Sequence, residues 1–188
     1  MMVQAILQAA AELFAEHGYA RATTNKIARR AGVSVGSLYQ YFPNKDSLLA
    51  TLLEQHQADV GRILDNAIGR LADETDPLEK ILRELLTDLV ALHRQDPALT
   101  RALSTAVLHE SDVVQASHRQ ESKTVRRLGQ LLSARPDVRD GDPAVMAAVL
   151  GQATARLTRW LVHDAPSGLE LSALLDETVL LLVRYLEK

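Results

Sequence analysis

Four residues near the start of this chain, Ala31-Gly32-Val33-Ser34, constrain its fold most, because they can end one helix and begin another within a single turn. Gly32 can take the left-handed conformation that terminates a helix, and Ser34 can cap the next one at once. Upstream, Thr23 or Thr24 can cap a short helix that ends at Ala31. Helices joined so tightly must cross steeply and touch. Ala28, one turn before Gly32, is small enough to permit that approach, and Ile27, Val33 and Leu38 can fill the angle. This is the packing requirement of a helix-turn-helix.

Helical arithmetic, at about 100° per residue, then gives the second helix its faces. With Leu38 turned inward, Phe42 lies beside it and Tyr41 borders the core. Gly36 and Gln40 point away, flanked by Ser37 and Tyr39. A glycine, a hydroxyl, an amide and a tyrosine make a poor core and a poor charged surface. They suit a DNA major groove, where small residues admit the helix, Gln40 can pair with a base edge and hydroxyls can reach phosphates. A helix-turn-helix with no DNA partner is the alternative.

Net charge is −3, which alone does not suggest a nucleic-acid binder. Its distribution does: no acidic residue falls between Glu16 and Asp46, whereas Arg21, Lys26, Arg29, Arg30 and Lys45 all do. A phosphate backbone requires such a local footprint, although a merely solvated basic patch would look the same.

The rest of the chain shows helical spacing and almost no strand signal, and all six prolines fall at interruptions of the helical pattern. The pattern predicts an all-α protein of roughly nine helices. The first runs from Val3 to His17 and stops at Gly18; two short ones precede Pro43; a long one follows Asn44, an N-cap candidate. The others lie near Asp76–Arg94, Pro97–Leu108, Ser111–Ala134, Asp142–His163 and Leu169–Glu187. No apolar run reaches the roughly 20 residues of a membrane span, and Glu12 and Glu16 rule out a signal peptide. With no cysteine in its 188 residues, the chain is expected to be cytoplasmic, without disulfides or a thiolate metal site.

The combination Ala10-Ala11-Glu12-Leu13-Phe14, Gly18-Tyr19, Thr23-Thr24, Ile27-Ala28, Ala31-Gly32-Val33-Ser34 and Gly36-Ser37-Leu38-Tyr39-Gln40-Tyr41-Phe42-Pro43-Asn44-Lys45 resembles the DNA-binding domain of the tetracycline-repressor (TetR) family of bacterial regulators. The likeness covers about Ile6 to Leu49. It implies an all-helical homodimer, usually a repressor, that releases its operator when a small molecule binds the C-terminal domain. Position by position, it implies phosphate contacts from Thr24, Tyr39 and Lys45, with Tyr41 either adding another or packing at the core border. It also implies that Asn25, Val35, Gly36, Ser37 and Gln40 meet or approach bases. Lys26, Arg29 and Arg30 are either backbone contacts or solvated. Unlike many relatives, the chain starts at its first helix with no basic arm, so either the minor groove is not used or the natural N-terminus is longer. The expected division is a DNA-binding domain over 1–46 and a ligand-binding and dimerisation domain over 47–188.

No phosphate loop, paired-histidine zinc spacing or nucleophile elbow occurs in the C-terminal region, so no enzyme, metal or cofactor is expected. Ala147, Gly151 and Ala155 recur every fourth residue, and the last helix is apolar nearly all round from Val179 to Val183. Packing of the last two helices against a twofold mate would bury both. An apolar or amphipathic effector could lie among Ile81, Leu85, Leu89, Leu92, Leu103, Val107 and Leu128. His93, Thr105, His109, Gln152, Arg156 and Trp160 could orient it, though none is assigned as a contact. Control by a protein partner, or a helical interaction module with a vestigial helix-turn-helix, are the competing readings.

Overall fold

The computed structural model describes residues 1–95, 100 and 111–188, with the backbone alone for 111–122. Eight α-helices appear among the described residues: α1 Met2–His17, α2 Thr24–Arg30, α3 Val35–Tyr41, α4 Lys45–Leu71, α5 Leu78–Gln95, α6 Ser111–Ala134, α7 Pro143–His163 and α8 Leu171–Leu186, with a 3-10 turn at Tyr19–Arg21. No strand forms among the described residues beyond one isolated bridge, Val138 to Glu187. The all-α expectation therefore holds. Apart from residue 100, the expected helix Pro97–Leu108 lies outside the described residues. α1 begins one residue earlier than the pattern suggested, and α8 begins two residues later.

The described residues form two compact units, one holding 1–58 and the other 59–95 and 116–188. In the first, α1 presents Ile6, Leu7, Ala10, Leu13 and Phe14 to a core completed by Ile27, Ala28, Leu38 and Phe42 and by Leu48, Leu49, Leu52 and Leu53. The second is built on α5, whose Leu78, Ile81, Leu82 and Leu86 pack with Leu132, Met146, Ala147, Leu150, Val179, Leu182 and Leu186.

Helix ends follow their sequence signals. Gly18 closes α1 with φ 76° and its amide on the Phe14 carbonyl. Asn44 accepts from the Ser47 amide at 2.8 Å. Asp142 accepts from the amides of Ala144 and Val145, with Pro143 as the first residue of α7. Gly129 of α6 stands where an added Cβ would come 2.8 Å from the Pro143 carbonyl oxygen, so glycine is required for these backbones to meet.

The stripe Ala147, Gly151, Ala155 does not act as one surface. Ala147 is fully buried, whereas Gly151 and Ala155 are exposed. Residues four apart on a helix drift by about 40° per step, so the stripe rotates out of the core. In α8, Val179, Leu182 and Val183 are buried, while Leu180 and Leu181 are 47% and 58% exposed.

Arg135 and His93 are among the polar side chains buried in the second unit. The Arg135 side chain, 1% exposed, holds Asp137 through Nε and Nη2 and donates to the main-chain oxygens of Asp73 and Asp76. His93, near the end of α5, is buried and its Nδ1 donates to the Leu89 carbonyl at 2.7 Å. Burial pushes the pKa of His93 down, helped by the charges of His163 and Arg159 and opposed by the bond to Leu89. A depressed histidine contributes stability that is complete above its unfolded pKa, about 6.5, and is lost as pH falls towards the folded value. Melting temperature is therefore expected to drop between pH 7 and 5. It should drop less in His93→Asn, whose amide can keep the bond to Leu89, as pH-dependent thermal denaturation would show.

Candidate nucleic-acid interface

α2 and α3 are set by their caps and by three buried side chains. Thr23 accepts from the Lys26 amide and opens α2; Gly32, at φ 69°, turns the chain; Ser34 accepts from the Ser37 amide at 2.9 Å and opens α3. Of the two threonines able to cap α2, it is Thr23 that does so, which leaves the Thr24 hydroxyl for another partner. Ile27, Ala28 and Leu38 have no exposed surface, so the steep crossing is fully packed.

α3 consequently keeps a fixed face outward. Gly36 and Gln40 are exposed, Tyr39 is 48% and Val35 37% exposed, and Ser37 is half-buried. Tyr41 is 51% exposed, so it lies at the surface and not in the core border. The Thr24 hydroxyl lies 3.0 Å from the Tyr39 hydroxyl, which joins the first turn of α2 to α3. Asn25 is exposed beside it. The Ser34 and Ser37 hydroxyls are 2.8 Å apart, so one of Ser37's hydrogen-bonding positions is already used.

Lys45 stands at the start of α4 and is more engaged than its sequence position suggested. Its ammonium donates to the Tyr19 carbonyl at 2.8 Å and sits 4.1 Å from the centre of the Tyr19 ring. Tyr19 packs on Phe14 with ring centroids 5.2 Å apart and donates its hydroxyl to Asp46. Tyr19, which no local pattern marks for a role of its own, braces the beginning of α4. Only the adjoining Gly18 hinted at a constrained turn there.

The five basic residues are not equivalent. Arg30 forms a two-pronged pair with Glu16, both contacts 2.8 Å, and reaches Glu12 at 3.3 Å. Hydrogen bonding from Arg30 holds the Glu16 carboxyl below the usual carboxylate range, and the same pairing raises the guanidinium pKa. Arg21 donates from Nε to the His17 carbonyl at 2.9 Å, and Lys26 donates to the Arg21 carbonyl at 3.2 Å. Arg29 is exposed and makes no side-chain hydrogen bond or ion pair among the described residues. No cluster of three or more metal-ligating side chains occurs among the described residues. Nor is any described helix long and apolar enough to cross a membrane.

Comparison with known proteins agrees with this geometry. Residues 6–52 match the model of bacterial regulatory proteins of the tetR family, and residues 77–186 match a tetracyclin repressor-like C-terminal domain. The chain is 33% identical over 172 aligned residues to the nucleoid occlusion factor SlmA of Vibrio campbellii, covering 85% of this chain and 83% of that protein. It is 28% identical to the HTH-type transcriptional repressor KstR of Rhodococcus jostii, covering 95% and 81%. Its fold is similar to that of the fatty acid degradation regulator FadR from Bacillus halodurans, at TM-score 0.72 and 23% identity over 97% of this chain and 94% of that one. It is also similar to the TetR family transcriptional regulator PfmR from Thermus thermophilus, at TM-score 0.74 and 19% identity over 97% and 99%.

Proposed function

Since the chain belongs to the tetR family of bacterial regulatory proteins, we propose that this DNA-binding regulator is a cytoplasmic repressor. It binds a near-palindromic operator as a homodimer and is released by a small apolar or amphipathic effector. The observation that carries the DNA contact is the outward face of α3: exposed Gly36, Tyr39 and Gln40, on a helix locked by fully buried Leu38. In this reading Asn25, Val35, Gly36, Ser37 and Gln40 meet or approach base edges. Thr24, Tyr39, Tyr41 and Lys45 meet phosphates. Residues 1–46 read the operator, and 47–188 dimerise and sense.

Exposed apolar side chains on the last two helices support the homodimer. Val145 and Val149 on α7 are 57% and 46% exposed, and with Leu180 and Leu181 on α8 they are surface that a second copy would bury. Two such heads would enter successive major grooves roughly 34–36 Å apart. An effector that binds better to a differently spaced dimer would release DNA by differential affinity. Four residues of the expected effector site, Leu103, Thr105, Val107 and His109, lie outside the described residues. A second reading, a DNA-bound factor governed by a protein partner and not by a small molecule, is supported by the name of the SlmA relatives, nucleoid occlusion factor.

Gel-shift titration on DNA flanking the protein's own gene tests the recognition face. Tyr39→Phe should weaken binding to all sequences alike, by removing a phosphate contact. Gln40→Ala should relax the preference at one base step, where an amide–adenine pair contributes about 1–3 kcal/mol of discrimination. Unaltered binding in both variants would refute this assignment.

A further inference from the structure

We propose that Arg21 and Lys26 form a phosphate-binding strip beside the reading helix, and that Arg30, equally basic in sequence, neutralises no phosphate. The proposal rests on the DNA-binding reading above and divides the basic residues by the charge of the groups they already hold. Arg30 faces two carboxylates, Glu16 through two bonds of 2.8 Å and Glu12 at 3.3 Å. Drawing it onto a phosphate would take the guanidinium from both acids and leave Glu12 with only the Gln8 amide and Glu16 with His17, beside a polyanion. Its guanidinium positions α2 against α1.

Arg21 and Lys26 are arranged differently. Each makes one side-chain hydrogen bond among the described residues, and each acceptor is a neutral main-chain oxygen, that of His17 for Arg21 and that of Arg21 for Lys26. These bonds hold the side chains in place without cancelling their charge. A lysine ammonium has two further protons to donate and an arginine four. Both residues are exposed. In the chain they flank Thr24, three residues before it and two after, and the Thr24 hydroxyl lies 3.0 Å from that of Tyr39 on α3. The fitting partner is the sugar-phosphate backbone flanking the base pairs that α3 meets.

Counterion release separates this from a purely structural role. Each phosphate neutralised adds about 0.9 to the steepness of log affinity against log salt, on duplexes of any sequence. The full-length protein can therefore be titrated onto a mixed-sequence duplex by fluorescence anisotropy across a salt series, with melting temperatures measured alongside. Arg21→Gln and Lys26→Gln should each reduce the slope by about 0.9 per DNA-binding head, doubled for a dimer that engages both heads. Glutamine can still donate to the same carbonyl, so the melting temperature should hold. The charge-neutral pair Glu16→Gln with Arg30→Gln should leave the slope unchanged and lower the melting temperature. Slopes unchanged in Arg21→Gln and Lys26→Gln while the wild type binds, or an equal loss of slope in the Glu16/Arg30 double variant, would overturn the proposal alone. No salt-dependent binding by the folded wild type would overturn the DNA-binding reading with it.

Discussion

Replacing Arg135 with alanine is expected to destabilise the second unit by about 1.5–3 kcal/mol, the size of hydrogen bonds made by a charged group. The guanidinium is 1% exposed and serves three acceptor groups at once: the Asp137 carboxylate and the carbonyls of Asp73 and Asp76. Hydrogen bonding to Arg135 is also the main reason that the Asp137 carboxyl ionises below its ordinary range. The two carbonyls belong to the loop between α4 and α5, so one side chain ties the end of α6 to that loop. Alanine would leave the carbonyl of half-buried Asp76 without the guanidinium, while the carbonyl of exposed Asp73 keeps the Asp76 amide at 3.2 Å. The Asp137 side chain, 42% exposed, would recover part of its share from water. For a chain of this length the fall in melting temperature should be on the order of 10 °C. Arg135→Lys should fall between, because an ammonium on a flexible stem cannot reproduce the planar fork. Thermal denaturation of both variants checks the order.

The second large effect is on DNA and not on stability. Gly36 lies in α3, and a Cβ added there would meet only the Ser34 hydroxyl, at an ordinary 3.8 Å. Nothing among the described residues requires glycine at this position, in the first turn of α3, and glycine is a poorer helix former than leucine. If the wall of the major groove comes close to it, Gly36→Leu should fold as well as wild type. Its affinity for the operator should fall by a factor on the order of 100, or about 3 kcal/mol. Loss of binding with a lowered melting temperature would point to misfolding and remove the support for a close approach.

Local features were legible in the sequence because their partners are near in the chain. The caps at Thr23, Ser34 and Asn44 each act within three residues, and the inward set of Ile27, Ala28, Leu38 and Phe42 follows from helical period alone. Arg135 was not legible. It follows the expected helix Ser111–Ala134 directly, in the short polar stretch Arg135-Pro136-Asp137, and the carbonyls it serves lie 59 and 62 residues upstream. Arg30 and Lys45 illustrate the same limit at the candidate site. Charge density identified both as candidate phosphate contacts, but Glu16, 14 residues before Arg30, and Tyr19, 26 before Lys45, hold them in the folded chain. Periodicity says which side of a helix is wet; it does not say which distant group a long cation reaches.

Footprinting on the DNA beside the protein's own gene, with wild type and Gly36→Leu compared at equal concentrations, shows whether α3 reads DNA. The wild type should protect two patches about one helical turn apart and the variant none, both proteins being folded. No protection by the folded wild type, or the same protection by Gly36→Leu, would contradict it.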